Sequence, residues 1–244
     1  GQNEMAAAFI LAGFEASDIH MQDVLDNPSL LEEFQGLAAC GGFSYGDVLG
    51  AGGGWSSSIR YNNGVRDAFE HFFNRDETFT FGVCNGCQML SNIKDLIPGA
   101  ENWPEFLWNE SDQFEARLSQ VTIAQSKSVL LDGMEGWQIP VAVAHGEGRA
   151  SFAENALKLL SEQTQIAVQF TDNKGVVASS YPLNPNGSPE GITGLTSTDG
   201  RATIMMPHPE RVFLTKQFSW FPSGWKSEYS PWMKFFLNAR EWLN

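Results

Sequence analysis

The segment that decides the fold covers residues 81–88 and reads FGVCNGCQ. The β-branched and aromatic run at residues 78–83 predicts a strand, and helical spacing begins just after Cys84. Cys84 is therefore expected on a sharp strand-to-helix turn, at the carboxyl end of a parallel strand, where α/β folds place their sites. Gly82 and Gly86 remove side chains on both sides of the cysteine, so that the turn can close tightly.

This turn is suited to a covalent nucleophile. At a helix N-terminus the unpaired N–H groups and the helix dipole favour a thiolate over a thiol, and the same N–H groups can donate to an oxyanion. Cys84 and Cys87 also form a C-x-x-C pair, so a thiol redox module is the alternative function. No metal site is expected, because two cysteines need two further zinc ligands and the chain has neither a second C-x-x-C nor suitably spaced histidines.

His208 is the candidate general base among the four histidines. It lies in residues 205–211, MMPHPER, directly after a predicted strand, and the flanking prolines keep the backbone extended. Glu210, two residues further on, can orient the imidazole as the third member of a catalytic triad. His20 and His71 are interpreted as structural or surface residues.

The rest of the chain alternates short strands with helical segments. This pattern predicts an α/β fold with a largely parallel open sheet flanked by helices, in one domain covering residues 1–244. Residues 181–191 hold three prolines and two glycines and are predicted to be loop. Strands are predicted at residues 16–21, 36–40, 78–83, 117–123, 138–144, 166–170 and 202–206. Helices are predicted at residues 4–14, 30–34, 55–73, 85–96 and 231–243.

The composition excludes several classes of partner. The chain carries 29 acidic and 15 basic residues, a net charge of −14, and this charge repels phosphate backbones, so no nucleic-acid partner is expected. No stretch approaches the roughly 20 apolar residues that cross a bilayer, so no membrane partner is expected either. Three cysteines, an odd number, do not make a disulfide framework and fit a reducing, cytoplasmic location.

The cysteine turn at residues 82–88 and the PHPE segment at residues 207–210, taken together, resemble the class I, or triad, glutamine amidotransferases, whose fold is flavodoxin-like. Three further segments are similar to the glutaminase portion of the phosphoribosylformylglycinamidine synthase family in its large fused form. They are GGFSYGD at residues 41–47, AHGEG at residues 144–148 and NPNGS at residues 184–188. The similarity covers nearly the whole chain.

The resemblance implies that Cys84, His208 and Glu210 hydrolyse glutamine to glutamate and ammonia through a glutamyl thioester. Backbone N–H groups of Gly42 and Asn85 would hold the oxyanion, and residues 109–114 would border the glutamine pocket. The residues that the resemblance assigns to glutamine binding are Gly41, Gly42, Asn85, Gln88, His145, Gly146 and Glu147.

The resemblance also implies a partner. A synthetase domain, in the same polypeptide or in an associated chain, would use the ammonia with ATP and magnesium to convert formylglycinamide ribonucleotide to formylglycinamidine ribonucleotide in purine synthesis. No cofactor is expected in the glutaminase itself. Members of the family begin with a strand just before the position of Gly1, so we expect the first strand upstream and this chain to be the carboxyl-terminal part of a longer polypeptide.

Overall fold

The computed structural model describes residues 1–44, 50 and 52–244, and helices and strands alternate along them. The helices are α1 (Gln2–Leu11), α2 (Met21–Asp26), α3 (Gly53–Arg60), α4 (Asn63–Asn74), α5 (Asn85–Asn92), α6 (Ala156–Glu162) and α7 (Met233–Trp242). The strands are β1 (Gly36–Ala39), β2 (Phe79–Val83), β3 (Glu105–Leu107), β4 (Glu115–Ile123), β5 (Gln138–His145), β6 (Arg149–Ser151), β7 (Ile166–Phe170), β8 (Ile192–Thr196) and β9 (Ala202–Met205).

One main sheet organises the described residues. Its strand order is β1-β2-β9-β8-β7-β4-β5, and β3 pairs with β6 in a separate two-stranded sheet. An isolated antiparallel bridge joins Ala142 on β5 to His208, just past β9, so the far end of the main sheet curls back toward its middle. This curl brings the end of β5 and the end of β9 together beside the end of β2.

The predicted α/β class, with an open sheet flanked by helices, is confirmed, but the expectation of a largely parallel sheet is wrong. Only β1 with β2 and β2 with β9 pair in parallel. The pairs β8–β9, β7–β8, β4–β7 and β4–β5 are all antiparallel. Parallel neighbours need a crossover of a dozen or more residues, usually a helix, whereas most of the later strands are joined by loops and turns that return the chain antiparallel.

The elements around the site, β2 and α1, are held in place by buried side chains. All five residues of β2 are buried, as expected for a strand covered by helices on both faces. Helix α1 buries Met5, Ala8 and Phe9, spacing typical of one helical face, and Phe9 packs edge-on against Phe236 of α7 at 5.1 Å between ring centroids.

Two predicted elements differ most from the structure. The strand predicted at residues 16–21 is absent: residues 16–20 are exposed, Met21 begins α2, and His20 caps that helix, its Nδ1 accepting from the Gln22 backbone N–H at 3.1 Å. The predicted helix at residues 55–73 is two helices, because the Asn62 side chain accepts from the Val65 backbone N–H at 3.3 Å and starts α4 anew.

Strands β3, β6 and β8 and helices α2 and α6 were not predicted, whereas the loop at residues 181–191 was predicted correctly apart from a short 3-10 turn at Pro189–Gly191. In the described parts of the chain, no helix combines the length and apolar character that a membrane span requires.

Candidate active site

Cys84 occupies the predicted turn between β2 and α5. Its backbone has φ 54° and ψ −112°, a conformation that a residue with a side chain rarely adopts, and the thiol is 8 % exposed. Gly86 in the first turn of α5 is required by close packing, because a Cβ there would lie 2.0 Å from the Ala39 carbonyl oxygen. The strained turn therefore presents the Cys84 thiol at the carboxyl end of β2.

His208, at the end of β9, lies beside this thiol, and Glu210 follows in the 3-10 turn Pro209–Arg211. The His208 Nδ1 is 2.7 Å from the Glu210 Oε1, and both side chains are almost fully buried. The His208 backbone N–H donates to the Ala142 carbonyl oxygen at 2.8 Å, which fixes the residue on the curled end of the sheet. Arg211 adds a positive charge, its Nε 4.0 Å from the Glu210 Oε1.

The electrostatics of this pair favour a protonated imidazole. Burial lowers the pKa of His208, but the Cys84 thiol and the Glu210 carboxylate together outweigh burial and raise that pKa to about 9. At neutral pH the ring therefore holds a proton beside the sulfur. Because Nδ1 faces Glu210, the nitrogen left for transferring a proton is Nε2, which is buried and has no hydrogen bond of good geometry to the described residues.

Gly41 lies against both His208 and Cys84. A Cβ at this position would lie 2.7 Å from the His208 Cε1 and 3.1 Å from the Cys84 Cβ. Gly42 follows with φ 144° and is exposed, and a Cβ there would meet no atom within 4 Å. Helix α5 begins at Asn85, whose backbone N–H is among those without a partner inside the helix, which suits it to an oxyanion.

We expect Gly41→Ala to lower the turnover of a reaction at Cys84 by about 100-fold, because the added methyl group pushes the His208 ring away from Cys84. Steady-state kinetics together with a melting curve would check this result. Gly224→Ala is a matched control, since a Cβ at Gly224 would meet no atom within 4 Å. Full turnover by a folded Gly41→Ala protein would show that this close contact has no role in the reaction.

The turn at residues 145–148 forms the opposite wall. The Gln88 Nε2 donates to the Glu147 carbonyl oxygen at 2.7 Å, so the predicted pocket residues of α5 and of this turn do meet. The Cys84 Sγ lies 3.7 Å from the carbonyl oxygen of Ala144, just before the turn. Gly146 lies at the rim beside the exposed ring of Trp108.

His145 lies near His208 and is hydrogen-bonded to another part of the chain. Its ring is 3 % exposed, and burial lowers the pKa of His145 to about 4, with a further lowering by nearby His208. The Nε2 of His145 is 2.7 Å from the Asn186 Oδ1. Thus His145 is a neutral imidazole at physiological pH, whereas His208 is charged.

The buried His145 should make folding stability depend on pH. The unfolded chain protonates His145 below about pH 6.5 and the folded chain only near pH 4, so stability falls as the pH drops through this window. We expect the loss in unfolding free energy between about pH 7 and 4.5 to be about 2 kcal/mol smaller in His145→Gln. Urea unfolding at both pH values measures it, with the exposed His71→Gln as control. Equal losses in wild type and His145→Gln would contradict this assignment.

Cys87, the partner in a C-x-x-C redox pair, is fully buried in α5. Burial, with a smaller contribution from Cys84, holds the pKa of the Cys87 thiol well above its ordinary value. A thiol in this state is a poor nucleophile for disulfide exchange. The three cysteines are all free thiols.

Two buried asparagines belong to the site: Asn109, which was expected there only as part of the stretch 109–114, and Asn186, which sequence reasoning missed. Asn109 donates from Nδ2 to the His145 carbonyl oxygen at 2.8 Å and accepts at Oδ1 from the Gly148 N–H at 2.9 Å. Asn186 binds the His145 ring. The NPNGS segment at residues 184–188 was the only sequence signal for Asn186, and it did not indicate which residue Asn186 contacts. Of the predicted GGFSYGD segment, residues 45–47 lie outside the described residues.

Residues 1–243 match the family of CobB/CobQ-like glutamine amidotransferase domains. Among solved structures, the chain is similar to PurLQS from Thermotoga maritima, with a TM-score of 0.70 and 22 % identity over 99 % of this chain and 92 % of that one. It is also similar to the glutaminase domain of CTPS from Trypanosoma brucei, solved with bound acivicin, with a TM-score of 0.55 and 12 % identity over 98 % of this chain and 88 % of that one.

Proposed function

Since the chain belongs to the CobB/CobQ-like glutamine amidotransferase domains, we propose that it hydrolyses glutamine to glutamate and ammonia with Cys84, His208 and Glu210 as its catalytic triad. The observation that carries this proposal is the strained Cys84 turn facing a buried His208–Glu210 pair whose Nδ1–Oε1 distance is 2.7 Å. A nucleophile, a base and a group that orients the base are the parts that acyl transfer requires.

In the first half of the reaction the Cys84 sulfur attacks the side-chain amide carbon of glutamine and forms a carbon–sulfur bond. The backbone N–H groups of Gly42 and Asn85 stabilise the oxyanion that develops. The protonated His208 then gives its proton to the amide nitrogen, the carbon–nitrogen bond breaks, and ammonia leaves. A pKa of about 9 for His208 suits this role, because the ring carries the proton at neutral pH.

In the second half, water enters where ammonia left. His208, now neutral, takes a proton from the water, whose oxygen attacks the thioester carbon. The carbon–sulfur bond breaks, glutamate is released, and Cys84 and His208 together recover their single proton. Glu210 holds the ring in the orientation that both halves use.

We also propose which enzyme uses the ammonia. The motifs at residues 41–47, 144–148 and 184–188 favour a synthetase of the phosphoribosylformylglycinamidine synthase type, which binds ATP and magnesium and works in the cytoplasm. The likeness of the fold to PurLQS supports the same choice over other amidotransferases. Glutamine would be the only substrate bound by the present domain.

A thiol redox module built on Cys84 and Cys87 remains the alternative function. The full burial and raised pKa of Cys87 disfavour it, because the second thiol must also ionise for exchange.

Mass spectrometry after brief treatment with acivicin, with and without excess glutamine, tests the proposal on the chain together with its synthetase partner. We expect one adduct, on Cys84, that glutamine suppresses. Modification of Cys40 or Cys87 instead, or a Cys84 that stays unmodified in the partner-bound enzyme, would overturn the assignment. The Cys87→Ala protein is the control, and it should be labelled like the wild type.

A further inference from the structure

Residues 41–44 pass beside the cysteine turn, and their own side chains give them little hold on the fold. Gly41 lies against the triad, where an added Cβ would be 3.1 Å from the Cys84 Cβ and 2.7 Å from the His208 Cε1. Gly42 has no side chain, and the Phe43 ring is 82 % exposed. The position of this segment beside the thiol must therefore be set by contacts at its two ends.

Both ends of the segment meet helix α5, which begins directly after the thiol. Before the segment, the Ala39 carbonyl oxygen lies so close to Gly86 that a Cβ at Gly86 would be 2.0 Å from it. At the other end, the Asn85 Nδ2 donates to the Ser44 Oγ at 3.0 Å. Between residues 41–44 and the rest of the described chain, this is the one hydrogen bond. The segment is thus held between a close backbone contact and a single side-chain tether.

Asn85 makes this bond from a buried position. Its side chain is 3 % exposed, and its Oδ1 is buried without a hydrogen bond of good geometry to the described residues. Burying half of an amide unpaired costs free energy that an apolar side chain of the same size would not cost. The bond to Ser44 accounts for an amide at this position. Because a hydroxyl can both donate and accept, the tether does not depend on which way the amide is turned.

Resting on the proposed glutaminase function, we infer that Asn85 is a positioning residue: its amide ties Ser44 to the cysteine turn and so holds residues 41–44 beside the thiol. Asn85 then acts on the oxyanion twice, directly through its backbone N–H and indirectly through its side chain, which sets the place of the Gly42 N–H. An oxyanion forms only as the reaction proceeds. A misplaced donor therefore slows the chemical step and leaves the binding of glutamine nearly unchanged.

The test is a double-mutant cycle on glutamine hydrolysis by the partner-bound enzyme, with Asn85→Ala, Ser44→Ala and the double variant. We expect each single change to lower kcat by about 10- to 100-fold, with KM changed by less than about threefold, because the donor is displaced and not removed. The double variant should be no slower than Asn85→Ala, since both changes remove the same bond. Ser44→Thr keeps the hydroxyl and should stay within about threefold of the wild-type kcat.

Asn238→Ala is the matched control for the loss of a buried amide. The Asn238 Nδ2, on α7, donates to the carbonyl oxygens of Leu130 and Asp132, and none of these three is a candidate site residue. This variant should lower the melting temperature and keep the wild-type kcat. Ser44 is only half-buried, so Ser44→Ala carries the test if Asn85→Ala does not fold.

Losses in kcat that multiply in the double variant would overturn the inference. A raised KM at unchanged kcat, a Ser44→Ala enzyme with wild-type kcat, or a Ser44→Thr enzyme as slow as Ser44→Ala would overturn it as well. An Asn238→Ala enzyme as slow as Asn85→Ala would assign the loss to general destabilisation. A wild-type enzyme that neither hydrolyses glutamine nor is labelled on Cys84 would instead overturn the proposed function.

Discussion

Replacing Cys84 with alanine is expected to abolish glutamine hydrolysis, with a loss of at least about 10⁴-fold in kcat. The thiol supplies the bond-forming atom, and the alanine methyl group cannot replace it. The strained backbone at φ 54° needs no sulfur to persist, so the fold should be retained. Glutamate release, measured with the synthetase partner and its substrates present, gives the turnover of wild type and variant.

Two controls separate chemistry from structure in this experiment. Cys87→Ala removes a buried thiol three residues away and should keep most of the activity. Synthesis from added ammonia should survive Cys84→Ala, because that reaction bypasses the glutaminase. If both activities fell equally in Cys84→Ala, the defect would lie in folding or assembly, and Cys84 would no longer be assigned as the nucleophile.

Replacing His208 with alanine should cost about 10³- to 10⁴-fold in turnover, since one imidazole serves as acid in the first half of the reaction and as base in the second. The wild-type rate should also fall above about pH 9, where the ring loses the proton that it gives to ammonia. A pH–rate profile of kcat measured on both proteins checks these results. The variant should lack the alkaline limb.

The His71→Ala variant is the control for the His208 experiment, because His71 is exposed and lies on α4, which carries none of the candidate site residues. It should keep the wild-type rate and the wild-type pH profile. Near wild-type turnover by His208→Ala would exclude His208 from the triad. An alkaline limb that persisted in the variant would assign the titrating group to another residue.

Local features of the chain were readable from the sequence because local physics produces them. The glycines at positions 82 and 86 and the change from strand to helix periodicity predict the Cys84 turn, and the structure places that turn between β2 and α5. The prolines around His208 predict an extended segment after a strand, and His208 does follow β9. These patterns depend on neighbours within a few residues, so a single sequence carries them.

The same reasoning failed where the structure depends on pairing between segments that are distant in the sequence. The antiparallel half of the sheet and the unpredicted β8 depend on which strands lie side by side, and side-chain alternation within one strand does not record its neighbour. His20 likewise was expected in a strand, but its ring caps α2. Contacts with particular partners overrode local preference at these places.

Patterns within short stretches of the chain predicted the Cys84 turn, the candidate base with its carboxylate, and the class of the fold. How His208 reaches Cys84 depends instead on the tertiary structure, through the curl of the sheet that bridges Ala142 to His208. The tertiary structure also brings Asn186 to His145, across chain segments that no periodicity relates. The physical reason is that backbone conformation follows from local sterics and burial pattern, whereas the meeting of distant side chains follows from packing the whole chain.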